Sequence, residues 1–91
     1  LESFKKILQE HKEFMLVSSD PRGEFCYYQL EYKSPWMLVI GNEARGIREE
    51  ILNLSQYKVR IPLSEKIESL NAAVAASVIA FEILSQQLKT D

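Results

Sequence analysis

A short loop bounded by Gly41 and Gly46 carries Asn42, Glu43, Ala44 and Arg45 between its glycines and follows directly on the apolar run Trp36 to Ile40. Glycine at the exit of a strand permits a tight turn and lets a ligand approach the backbone, whose N–H and C=O groups then do the binding. The GxxxxG form invites comparison with phosphate-binding loops. A P-loop continues with Lys and Ser or Thr after its second glycine, whereas Ile47 and Arg48 stand here. A dinucleotide-binding turn requires GxG, and Glu43 places a carboxylate where a pyrophosphate would have to sit. With both excluded, an acceptor carboxylate between two glycines suits a neutral or cationic ligand.

S-adenosylmethionine, with its sulfonium and ammonium groups, is a ligand of that kind. The same residues are compatible with a plain strand-to-helix turn capped by a solvated Glu43, and spacing by itself leaves both readings open. Other chemistry is easier to exclude. One cysteine, Cys26, and one histidine, His11, leave no CxxC pair and no His pair, so no metal site is expected. The net charge of −2 offers no global positive field for nucleic acid, so any RNA contact must be local. The longest apolar run, Leu70 to Leu84, is interrupted by Asn71, Ser77 and Glu82 and is too short to span a bilayer. We expect no membrane partner and a cytoplasmic location. The chain opens on Leu1 rather than Met, from which we expect it to be cut from a longer protein.

The elements that must position the loop follow from hydrophobic period. Leu1, Phe4, Ile7 and Leu8 have helical spacing, which predicts an amphipathic helix over the first 13 residues. Phe14–Val17 and Trp36–Ile40 are continuous apolar runs too short for helices. They read as buried strands with parallel neighbours, the first closed by the turn signal Asp20-Pro21-Arg22-Gly23. The aromatic-rich stretch Glu24 to Lys33 reads as a loop with a short helical turn. Ile47–Leu54 reads as a short helix, and Tyr57–Ile61 alternates apolar with basic residues in the manner of a strand. The last segment, about Leu70 to Leu88, reads as a helix whose stripe is Leu70, Val74, Phe81, Leu84 and Leu88. Its alanine-rich first turns are apolar on every side, so other chain is expected to surround it.

Leu38 to Ile47 (LVIGNEARGI) resembles the second motif of the SpoU/TrmH family of the SPOUT superfamily, and Arg60 to Ala75 (RIPLSEKIESLNAAVA) resembles its third, in the family's order and spacing. The resemblance implies an α/β fold, a parallel sheet flanked by helices, whose C-terminal segment passes through a loop to form a deep trefoil knot. It implies S-adenosyl-L-methionine-dependent methyl transfer to a ribose 2′-hydroxyl of tRNA or rRNA. It also implies that Gly41, Ile61 and Leu70 line the cofactor pocket, with Asn42, Leu63 and Ser64 beside them, and that Glu43, Ser69 and Asn71 lie near the methyl-transfer centre. Asn71 has a second reading as an ordinary helix N-cap. Ala44 departs mildly from the glycine common at that position. Arg45 and Arg48 are the candidate RNA-phosphate contacts.

The family's first motif, which holds the arginine proposed to promote deprotonation of the hydroxyl, has no counterpart among these residues, so the general base is unassigned. Residues 1–91 are therefore expected to be the C-terminal part of a SPOUT methyltransferase domain, lacking the N-terminal strand or strands with that motif and nearly inactive alone. A homodimer is implied, with the amphipathic end of the last helix as the candidate surface. The alternative is a non-catalytic S-adenosylmethionine-binding or dimerisation module. An Asn and an Arg in a first-motif context upstream would favour the enzyme.

Overall fold

In a computed structural model of the chain, which describes residues 1–42, 45–63 and 71–89, the elements run in the order α1 (Glu2–Glu10), β1 (Met15–Ser19), β2 (Phe25–Cys26), β3 (Trp36–Val39), α2 (Glu49–Leu54), β4 (Tyr57–Arg60) and α3 (Ala72–Lys89). The strands form one sheet in the order β2-β4-β1-β3, and every pairing is parallel. The four segments expected to be helices or buried strands around β1, β3, α2 and β4 are present. α2 starts at Glu49, so Ile47 lies in the loop before it.

β1 is the central strand, and its composition follows from that. Both of its edges are paired, and Met15 to Ser18 are all buried, which is why no alternation is visible in MLVS. Met15 and Val17 face a core shared with Val59 of β4 and with Ile79 and Ile83 of α3. Ser18, fully buried, shares a hydrogen bond with the Ser55 hydroxyl, and Ser55 in turn donates to the Ile51 carbonyl at the end of α2. Gln56 completes the join. Its side-chain Oε1 accepts from the Leu16 N–H at 3.1 Å, and its own N–H donates to the Leu16 carbonyl at 2.9 Å. The buried polar groups are thus paired, as burial away from water demands.

Two expectations are corrected. The stretch Glu24 to Lys33 contains a strand: Phe25 and Cys26 pair with Val59 and Arg60. Two residues with no alternation leave no periodic signal. The second correction concerns α3, which the described residues do not surround. Its inward face is Ala75, Ile79 and Ile83, while the expected stripe points away: Val74, Phe81, Leu84 and Leu88 are 48%, 70%, 51% and 66% exposed. A helix apolar on all sides does not declare its inner face from composition. Small Ala75 and β-branched Ile79 and Ile83 meet the sheet, and the bulkier residues are left outside. Near its end the inward side is polar. Gln86 accepts from the Tyr32 N–H at 3.0 Å and donates to the Leu30 carbonyl and the Glu82 carboxylate.

Tyr32 makes this junction sensitive to alkali. Its hydroxyl donates to the Tyr27 carbonyl at 2.6 Å, and burial, followed by the nearby Glu82 and Tyr27, raises its pKa far above the ordinary 10.0. The folded chain therefore holds the phenolic proton more tightly than the unfolded one. Stability contributed by the group is present below pH 10 and is lost as pH climbs beyond it. Tyr32→Phe is expected to cost about 1 kcal/mol at neutral pH, for the lost hydrogen bond, and to flatten the decline above pH 10 in denaturant titrations.

The knot implied by the family resemblance would involve the segment between β4 and α3, and residues 64–70 of it lie outside the described residues.

Candidate functional site

Sheet register brings the two sequence motifs together. Val39 pairs with Ser18, and Val59 pairs with Ser19, so β3 and β4 end at nearly the same level on either side of β1. Strand neighbours are separated by about 4.8 Å, which sets the exits of β3 and β4 about 10 Å apart across the end of β1. The chain leaving β3 must cross β1 to begin β4. That reversal is the switch point at which parallel α/β sheets open a crevice outside their carboxyl ends. Gly41 leaves one side of it and Ile61 the other.

The loop after β3 is tightly closed. The Gly46 N–H donates to the Asn42 carbonyl at 2.7 Å, and the Arg45 N–H donates to Asn42 Oδ1 at 3.3 Å. Gly46 has φ +71°, the left-handed region that glycine enters without steric cost. Gly41 is glycine for another reason: a Cβ there would lie 2.6 Å from the Gly46 carbonyl carbon and 2.8 Å from the Ile47 nitrogen. The loop folds onto the strand exit so closely that only backbone fits between them.

On the other side, β4 continues into half-buried Ile61, which packs against the core, and then into exposed Leu63. Asn71 stands at the start of α3, where its Oδ1 accepts from the N–H groups of Ala73 at 2.7 Å and Val74 at 3.3 Å. It is an N-cap, and among the described residues its amide nitrogen has no hydrogen-bond partner. Arg45 and Arg48 are both exposed. Arg22 after β1 and Arg60 at the end of β4 stand at the same carboxyl edge, where they are interspersed with Asp20, Glu24, Glu49 and Glu50. Glu43, Ser64, Ser69 and Leu70 lie outside the described residues.

Two contributors were not singled out from the sequence. Asp20 and Gly23 appeared there only as turn formers. In the fold, Asp20 sits on the exit of β1 between the two loops, and Arg60 Nη1 donates to the Gly23 carbonyl at 2.8 Å, fastening the turn to β4. A carboxylate immediately after a strand buried on both faces was the available signal. Among the described residues, no group of three or more His, Cys, Asp or Glu is placed to hold a metal, and no helix is long and apolar enough to cross a membrane.

Known proteins share this arrangement. A 23S rRNA (uridine(2479)-2′-O)-methyltransferase of Streptomyces viridochromogenes is 35% identical over 74 residues, which is 81% of this chain and 26% of that protein. A tRNA (guanosine(18)-2′-O)-methyltransferase of Thermus thermophilus is 38% identical over 63 residues, 69% of this chain and 32% of that protein. The crystal structure of the SpoU methyltransferase AviRb from Streptomyces viridochromogenes, in complex with the cofactor AdoMet, superposes with a TM-score of 0.87 at 28% identity, covering 96% of this chain and 34% of that one. The chain thus spans about a quarter to a third of the length of these three relatives. Residues 1–81 match the profile of the SpoU rRNA Methylase family, and with the parallel sheet and its helices in place, the chain belongs to that family.

Proposed function

We propose that this chain is the C-terminal, cofactor-binding part of an S-adenosyl-L-methionine-dependent RNA ribose 2′-O-methyltransferase acting on tRNA or rRNA. The observation that carries the reading is the register that sets the strand exits at Gly41 and Ile61 at nearly one level on either side of β1, where a parallel sheet opens its ligand crevice. The crevice suits this cofactor. A glycine with no room for a side chain exposes backbone to the ligand, half-buried Ile61 offers an apolar wall, and Asp20 places a carboxylate where a polyphosphate would be repelled. When bound, the cofactor supplies an already activated methyl group.

The backbone around Gly41 and Ile61, with Leu70 and neighbouring Asn42, Leu63 and Ser64, holds the adenosyl group. Glu43, Ser69 and the free amide of Asn71 orient the reacting end, and positioning of this kind accounts for much of the rate in such transfers. Arg45 and Arg48 meet the RNA phosphates. Calorimetry is expected to show binding of S-adenosylhomocysteine and none of ATP or NAD; preference for either nucleotide would refute the reading. In the same titration Gly41→Ala should weaken binding about tenfold or more, because overpacking of about 1–3 kcal/mol must be relieved by moving the loop.

The domain is completed upstream. The outer edge of β3 is unpaired among the described residues, and Trp36 to Val39 are only half-buried. An all-parallel sheet with an apolar open edge calls for a further strand, and the missing first-motif strand fits that place. The exposed stripe of α3 supports a homodimer. Beside Phe81 lies a shallow groove of about 330 Å³ lined by Tyr27, Ser77, Val78, Phe81 and Glu82, which continues the same surface. Phe81→Glu in the full-length protein should weaken self-association by about thirtyfold or more, as loss of a buried aromatic anchor does. Sedimentation velocity across a concentration series checks this; an unchanged dimer would place the interface elsewhere.

A further inference from the structure

Asp20 directly follows β1 at the centre of the sheet, level with Gly41 on one side and Arg60 on the other. Its position is held from several directions. The Asp20 N–H donates to the Val59 carbonyl at 2.9 Å, its carbonyl accepts from the Gly23 N–H at 2.8 Å, and Oδ1 accepts from the Arg22 N–H at 3.2 Å. Gly23 cannot shift toward β4, because a Cβ on it would already lie 2.7–2.9 Å from the Lys58 and Val59 backbone. Arg60 grips its carbonyl from the same side. The turn is thereby clamped onto β4 where that strand exits to the crevice.

The turn uses one carboxylate oxygen. The other, Oδ2, has no hydrogen-bond partner among the described residues, and no cation there is within ion-pair distance of Asp20. An ionised carboxylate is purely an acceptor, so what it can still bind is a donor. The backbone of Gly41 and of Arg60 stands level with Asp20 on either side, and in the function proposed above Glu43 serves the reacting end of the ligand. The cofactor's other donors are the adenine amino group, which backbone carbonyls such as those at the strand exits can serve, and the ribose hydroxyls, a pair suited to a carboxylate.

We propose that Asp20 is a cofactor-contacting residue whose Oδ2 accepts a hydrogen bond from the ribose hydroxyls of S-adenosylmethionine. This rests on the crevice being the cofactor site, and the test separates the two claims. The full-length protein and its Asp20→Asn variant are titrated calorimetrically with S-adenosylhomocysteine and with its 2′-deoxy and 3′-deoxy forms. Asparagine retains a carbonyl oxygen for the Arg22 N–H and so preserves the turn, while it removes the second acceptor. The expected result is about tenfold weaker binding of S-adenosylhomocysteine to the variant, with little or no loss for the deoxy form that lacks the contacting hydroxyl. If wild type binds and the variant binds within twofold of it, or loses equally on all three ligands, the assignment to Asp20 is overturned and the cofactor site stands. A folded wild-type protein that binds none of them overturns both.

Discussion

Methyl transfer to transcript RNA is expected to be at least about a hundredfold faster with a protein extended upstream of Leu1 than with residues 1–91 alone. The size follows from what is missing. Proton removal by a positioned group contributes about 10²- to 10⁴-fold, and none of the residues described at the crevice is assigned that task. A further loss comes from the sheet itself: among the described residues β3 is open along its outer edge, so the loop it launches at Gly41 is braced by β1 on one side only. Single-turnover transfer of labelled methyl, measured for both proteins at matched concentration, is the check. Equal turnover would mean that the acid–base chemistry lies within these 91 residues after all.

A second large effect is expected where the helix meets the sheet. Ile79 is completely buried against Met15, Val17 and Val59, and Ile79→Ala should cost about 2–5 kcal/mol. For a domain of this size, each kcal/mol is worth about 4–8 °C, so the midpoint of thermal unfolding should fall by roughly 10 °C or more. Phe81→Ala, two residues further along the same helix and 70% exposed, should leave the stability of the isolated chain almost unchanged. Unfolding curves that showed the reverse order would mean that α3 sits the other way round.

The same helix shows what could be read from the sequence and what could not. The strands β1, β3 and β4 were legible in the residues: MLV without alternation, where both faces are buried, WMLV equally apolar although the edge strand it forms is only half-buried, and YKVRI with alternation. The facing of α3 left no such trace. In Val74, Ala75, Val78, Ile79, Phe81, Ile83 and Leu84 the helix has apolar groups all round, and shape against the sheet decided the matter. β2 was missed because two residues are too few to carry a period.

Gly41 and Ile61 were singled out through family resemblance, and register sets the strand exits they follow at nearly one level although they lie far apart in the chain. The N-cap reading of Asn71 was available beforehand and is what the hydrogen bonds show. Asp20 was hidden by its neighbours. Asp-Pro-Arg-Gly is so plain a turn signal that its carboxylate needed no other explanation until the turn was placed beside both loops.

The strand order also has a consequence for how the chain comes to be folded. In β2-β4-β1-β3 no strand neighbours its successor in the sequence, and the junction of Leu16 with Gln56 joins residues 40 apart. No hairpin exists to form first and recruit the rest. During synthesis, the apolar centre of β1 must wait for β4, and the helix that buries it comes later still. Assembly dominated by such distant contacts is slow, and the order imposes a simple rule: the crevice can exist only after almost the whole chain has arrived.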